Sequence, residues 1–235
     1  MDATSSPVLD IRDLTKSYGP VRALDGVDLT LEPGRFVGLL GENGCGKTTL
    51  LKILAGVMYD YDGDVRIAGY RPGPESKAQV SFLPDLAVLP MRWRVTDALR
   101  YHRDFFDDFD EAKAIDLIGS FGLATSMRIK EASKGMREKV QVALAMSRRA
   151  SVYLLDEPIS GVDPAAREVL LDAIVKDLPE DALVLVSTHL VHDLEPVLDS
   201  AVIMRGGRVV LQGDLDDLRA ERGAGLEQIF KEMHR

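Results

Sequence analysis

Residues 41–48 read Gly-Glu-Asn-Gly-Cys-Gly-Lys-Thr, a complete G-x-x-x-x-G-K-[ST] phosphate loop. Three glycines let the backbone curl so that successive N–H groups point inward at phosphate oxygens. Lys47 adds positive charge for the β- and γ-phosphates, and the Thr48 hydroxyl suits Mg²⁺. The apolar run Phe36–Leu40 precedes the loop as a strand, and Thr49–Ala55 follows it as a helix that stops at Gly56. Strand, loop and helix hold phosphate at a helix N-terminus. Gly41, Glu42, Asn43, Gly44, Cys45, Gly46, Lys47, Thr48 and Thr49 are therefore the candidate nucleotide-binding residues.

The 235 residues suffice for one large α/β domain or a core with a subdomain. A net charge of −9 argues against nucleic-acid binding, which needs a basic surface. Cys45 is the one cysteine, so no internal disulfide forms and a reducing compartment fits. Its thiol reads either as a reactive group or as a small filler, and the filler is preferred. The first ten residues lack the basic start and apolar run of a secretory signal. No stretch approaches the roughly 18 apolar residues that cross a bilayer. Work at a membrane would need another chain to hold this one there.

Residues 1–7 read as a disordered tail. Val8–Leu14, Val27–Leu31 and Asp64–Ala68 read as strands of a hairpin-rich N-terminal sheet, with turn signals at Asp25-Gly26 and Pro33-Gly34. From about Asp85 to Ala150 helical spacing takes over, in Val95–Phe105, Asp110–Phe121 and Ser133–Arg149, the last with Ser133 as N-cap. Strands return at 152–155 and 183–187, flanking a helix at 165–176. A hairpin around Gly206-Gly207 and helices at 215–221 and 225–233 follow. The pattern implies an α/β core with an inserted helical subdomain.

Val152–Leu155 lead into Asp156-Glu157, a buried strand ending in the carboxylate that holds Mg²⁺ through water. Glu157, one residue on, reaches the attacking water as general base. The strand 183–187 leads to His189, which puts an imidazole at the strand's C-terminal edge near the γ-phosphate.

With these residues in order, the chain resembles the ATP-binding cassette (ABC) ATPases, from Val8 to Leu211. The resemblance implies a RecA-like P-loop core, an N-terminal antiparallel β subdomain and a helical insertion. The core with its β subdomain would take 1–85 and 151–235, and the helical subdomain 86–150. Tyr18 matches the aromatic that stacks on adenine, a contact of about 1 kcal/mol. Ala132-Ser133-Lys134-Gly135-Met136 matches the signature motif, which in the family binds the γ-phosphate held by the opposite subunit. Ser133 and Gly135 are the matching residues. Ser160-Gly161-Val162-Asp163 matches the loop that crosses that interface, with Asp163 at the nucleotide. The implied cofactors are ATP and Mg²⁺, and the implied assembly is a head-to-tail dimer of cassettes, with itself or a related chain.

Two departures stand out. The signature has Ala132, Lys134 and Met136 where the family usually has Leu, Gly and Gln. Lys134 either strengthens phosphate binding or points to solvent, the second being preferred. Asp85 occupies the position of a usual glutamine; it accepts hydrogen bonds but donates none. Thr48, Asp85 and Asp156 are the candidate metal ligands. The family docks on a membrane permease near this position, so Leu86–Tyr101 is the candidate surface. In it Trp93 serves either the interface or the inside of the helical block. Local sequences around Asp85, Ser133 and Glu157 look most like the group paired with ABC-2-type permeases, which favours export and a seat at the cytoplasmic face of the membrane.

Other classes fit less well. A DNA-repair or chromosome ABC ATPase needs a long coiled coil, absent here. A translation-associated ABC protein carries two cassettes. A GTPase normally carries N-K-x-D, and this chain has none. A slowly hydrolysing regulatory ABC subunit stays open. The transported substrate is not legible.

Overall fold

Three strands have no wet face. Phe36–Gly41 (β3), Val152–Asp156 (β6) and Leu183–Thr188 (β7) are buried at every position. Such runs need cover on both sides, which a parallel sheet supplies. In the computed structural model, which describes residues 6–86, 89–176 and 178–233, they form the middle of a six-stranded sheet. Its order is β5-β6-β7-β3-β8-β9, with β5 at Val80–Leu83, β8 at Ser200–Arg205 and β9 at Arg208–Asp214. All neighbours are parallel except the terminal hairpin β8–β9. A second, antiparallel sheet has the order β2-β1-β4, from Leu9–Tyr18 (β1), Val21–Leu31 (β2) and Asp62–Ile67 (β4).

Side-chain alternation along the parallel strands sorts two cores. Val152 and Leu154, with Leu183 and Leu185, face the helix Lys47–Leu54 (α1) and the antiparallel sheet. Tyr153 and Leu155, with Val184 and Val186, face the other way. That side is covered by Val95–Phe105 (α3), Glu111–Ser120 (α4), Lys134–Met146 (α5) and Pro164–Lys176 (α6). Pro74–Gln79 (α2), Val191–Leu194 (α7), Leu215–Arg222 (α8) and Leu226–Met233 (α9) complete the helices, with short 3-10 turns at Ile129–Glu131 and Glu195–Val197.

The first two strands run longer than their apolar segments predict. Asp25-Gly26 is not a turn; Gly26 has a φ of 67° and sits inside β2, where the pairing with β1 slips. The slip absorbs the residue that a turn would otherwise use. Gly63 likewise lies within β4 rather than before it, at a point where a Cβ would come within 2.6 Å of the Asp13 carbonyl oxygen of β1. Ser133 caps α5, its Oγ accepting from Met136 N at 3.2 Å. The helix ends at Met146, not Arg149, since Arg148 turns inward. Arg148 donates to Val80 O at 2.7 Å and to both oxygens of Asp108 at 3.0 Å, and stacks over Phe106. The expected tail falls outside the described residues up to residue 5, as do Ala87 and Val88 of the candidate docking segment.

Tyr153 is fully buried at the centre of the second core. Its hydroxyl donates to Arg148 O at 2.5 Å and accepts from Ala150 N at 3.3 Å, tying β6 to the end of α5. Tyr153→Phe leaves a buried carbonyl and amide without that partner. We expect it to lower the urea midpoint by an amount equivalent to about 1–3 kcal/mol at unchanged m-value, read by circular dichroism.

Candidate active site

Between β3 and α1 the chain turns through 42–46 with Gly44 and Gly46 in the left-handed region, at φ 83° and 113°. At Gly44 there is open space, so only the backbone angle demands glycine; at Gly46 a Cβ would also meet Ala23 O at 2.5 Å. Gly46 caps α1 without a side chain, so the first amides of the helix keep their hydrogen-bonding capacity for an anion. Lys47 is buried, its ammonium donating to Gly41 O at 2.6 Å and Glu42 O at 3.2 Å. Asn43, Gly44, Gly46, Lys47, Thr48, Thr49, Asp85 and Glu157 line one cleft of about 180 Å³, joined by Ala23 from β2.

Bonded to Thr48 lies Asp156, with 1% of its surface exposed. Its Oδ1 accepts from Ser187 Oγ at 2.5 Å and Thr48 Oγ1 at 3.2 Å. Its Oδ2 is buried with no hydrogen-bond partner. A buried carboxylate oxygen left over beside a hydroxyl, with Asp85 on the same cleft, is a hard-oxygen donor set, which suits Mg²⁺. Among the described residues no three His, Cys, Asp or Glu side chains cluster as a protein-only metal cage.

Glu157 has a φ of 51°, unusual for a residue with a side chain. The turn is held by its own N–H, which donates to Ser187 O and to Ser187 Oγ, both at 3.1 Å. Its carboxylate meets His189 Nδ1 at 3.0 Å through either oxygen. The imidazole is 46% exposed against 13% for Glu157, so the histidine stands at the mouth and the carboxylate inside. With the carboxylate accepting from Nδ1–H, Nε2 is left for another partner. Ser187, which touches both acidic residues, escaped the sequence reading. Only the register pairing Asp156 with Ser187 reveals it.

The remaining site residues do not line this cleft. Ser133 is exposed, and Gly135 packs where a Cβ would come within 3.1 Å of Gly161 O. The N-terminus of α5 thus rests on the loop 160–163 that carries the exposed Asp163. Lys134 points outward, 3.6 Å from Glu138. Tyr18 sits at the end of β1, half-exposed, its hydroxyl on Met58 Sδ at 3.3 Å and the Lys16 ammonium 5.1 Å from its ring centre. Cys45 is buried against Gly41, which supports the filler reading of this residue. Trp93 is partly buried against the helical core and tilted on Tyr101 at 5.3 Å. Leu86, Met91, Tyr101 and Phe105 are the exposed apolar residues nearby in sequence. A separate cavity of about 80 Å³ lies between β5, α3 and α5, lined by Leu83, Pro84, His102, Phe106 and Gln141 among others. Burial pushes the His102 pKa down.

A phosphate loop and Glu157 on one cleft, with Asp156 bonded to Thr48 and His189 to Glu157, agree with the comparison to known families. The ABC transporter family model matches residues 24–160, more than half of the chain. The chain belongs to the ABC transporter family. It is 30% identical over 237 residues to the ABC-type transporter ATP-binding protein EcsA of Bacillus subtilis, covering 96% of each chain. A solved ATP-binding subunit of an ABC transporter superposes with a TM-score of 0.87 at 32% identity, over 97% of this chain and 100% of that one. The ribose import ATP-binding protein RbsA of Pseudomonas putida is 32% identical over 97% of this chain, which spans 46% of that protein. This chain is therefore an ATP-binding subunit of an ABC transporter and an ATPase, with the expected P-loop α/β fold. Among the described residues no helix is long and apolar enough to cross a membrane.

Burial pushes the Cys45 thiol up, outweighing Lys47, so less thiolate is present at any pH near 8 than in an unfolded chain. Ellman's reagent at pH 8 should modify Cys45 at least about tenfold more slowly in the native protein than in guanidinium.

Proposed function

We propose that this subunit works as one half of a head-to-tail pair of cassettes that closes on ATP. Tyr18 stacks on the adenine, and the 41–49 loop and helix start cradle the phosphates. Thr48, Asp85 and Asp156 would hold Mg²⁺, which when bound would supply charge neutralisation at the phosphates. Ser133, Gly135 and Asp163 of the opposite cassette cover the γ-phosphate. Glu157 takes a proton from the attacking water as the bond from the γ-phosphorus to the bridging oxygen breaks, and His189 steadies the γ-phosphate. Hydrolysis and phosphate release reopen the pair, which converts chemical steps into movement.

One observation carries this reading. Lys47, Thr48, Asp85 and Glu157 gather at one cleft, with Asp156 bonded to Thr48 and His189 to Glu157, whereas Ser133, Gly135 and Asp163 do not line it. Among the described residues of one chain these three stand away from the phosphate cradle, which supports a reading in which a second cassette supplies the cover.

The movement would pass to a membrane permease docked beside Asp85, on the cavity at Leu83, Pro84 and Gln141 and the exposed Leu86 and Met91. The partly buried Trp93 then serves as the anchor beneath that surface. The local sequences at Asp85, Ser133 and Glu157 favour an ABC-2-type permease and export, with the subunit at the cytoplasmic face of the membrane. Because a ribose import protein is also a relative, direction rests on that local resemblance alone.

Glu157→Gln removes the base and keeps the binding residues. We expect this variant to be monomeric without nucleotide and dimeric with ATP and Mg²⁺, by light scattering on a sizing column. A monomer that still binds ATP would reject self-pairing and indicate a different cassette as partner. Asp85→Asn should lower Mg²⁺-dependent turnover by about tenfold. Unchanged turnover removes Asp85 from the ligand set.

A further inference from the structure

Glu138 lies on α5 just beyond Gly135, and its side chain is only 11% exposed. Oε1 is 3.6 Å from the Lys134 ammonium, a loose and mostly solvent-exposed partner. Oε2 is buried and has no hydrogen-bond partner. A buried carboxylate is costly unless it is paired or hydrogen-bonded, and the groups that favour this one are Lys134 and the Gly161 amide.

What the carboxylate touches is Gly161. The three atoms nearest to a Cβ built on Gly161 all belong to Glu138: both oxygens, and Cδ at 2.6 Å. Gly161 is not in the left-handed region, so its backbone angles do not demand glycine. The seat of the Glu138 carboxylate does. Burial pushes the Glu138 carboxyl up, while Lys134 and the Gly161 amide pull it down and the nearby Asp85 adds to the rise.

Gly161 is four residues from Glu157, and the intervening turn is stiff. Ser160 N donates to Glu157 O and Val162 N to Ile159 O, each at 3.2 Å. On the far side Arg167 Nε donates to Val162 O at 3.0 Å and its Nη1 to Asp193 at 2.7 Å. We propose that Glu138 is a positioning residue for hydrolysis: seated on Gly161, it locks the 157–163 loop, and so Glu157, to the N-terminal turn of α5 that carries Ser133 and Gly135. The arrival of that turn at a neighbouring phosphate is then felt at the chain's own general base. The inference rests on the reading of Glu157 as that base.

The test uses the full chain with Glu138→Ala, Glu138→Gln, Gly161→Ala and the double variant Glu138→Ala/Gly161→Ala. Gly161→Ala displaces the carboxylate without deleting it, since the clash is with the far end of a flexible side chain. Glu138→Ala should lower kcat about tenfold with the KM for ATP within about twofold, and Glu138→Gln, which keeps the shape, should recover most of the loss. Gly161→Ala should add nothing in the Glu138→Ala background. Amide exchange of the 157–163 segment, measured without nucleotide, should be faster in Glu138→Ala. Unchanged exchange there, or kcat losses that multiply in the double variant, would overturn the proposal. Failure of the Glu157 reading shows differently: Glu157→Gln would keep its turnover while the exchange difference persisted.

Discussion

The site depends on the parallel register of β3, β6 and β7. Leu40 pairs with Thr188, and Asp156 with Ser187. The phosphate loop after Gly41, the acidic pair at Asp156-Glu157 and the imidazole of His189 consequently leave the sheet at one edge. A slip of one residue in β6 would turn Asp156 from the cleft to the opposite face of the sheet. Full burial of all three strands forbids that slip, because each apolar residue would exchange one core for the other. The chemistry is thus aligned by hydrophobic packing well below it.

Local charge, not overall charge, governs what binds. The chain is acidic, yet its phosphate cradle combines Lys47 with free helix-start amides. Lys47 and Asp156 are both nearly inaccessible, and each is held by neutral partners rather than by an ion pair: two carbonyls for the ammonium, two hydroxyls for the carboxylate. The Oδ2 left without a partner costs on the order of 1–3 kcal/mol while unsatisfied. A cation at that oxygen would recover part of this cost, so metal binding and local stability are linked at the same atom.

Sequence reading succeeded where one signal was strong and local. The 3.6-residue spacing of Val95, Ala98 and Leu99 gave α3 its observed bounds, and the Ser133 cap lies where its side chain can reach Met136. It failed where a local signal had a non-local use. Asp25-Gly26 has the composition of a turn but serves as a bulge, because β1 continues alongside it. Arg148 is as good a helix former as its neighbours, but Asp108, Phe106 and Val80 lie within its reach and draw it off the helix. Pro74–Gln79 is too short for its periodicity to register. Ser187 and Glu138 carry no motif of their own; each matters through one contact made across strands or from helix to loop.

In the proposed pair the two halves of the site come from separate parts of the same chain, yet only a few residues of backbone lie between Glu157 and Asp163. The segment between is held at Glu157 by Ser187, at Gly161 by Glu138 and at Val162 by Arg167, so it has little freedom to relax internally. A short, pinned segment transmits displacement instead of absorbing it, because packed elements shift between discrete positions and do not stretch. In the proposed pair each closing event would place a cover on one nucleotide and, through the same loop, act on Glu157 beside the other. Coupling between two sites then follows from the shortness of the connection, with no separate allosteric element needed.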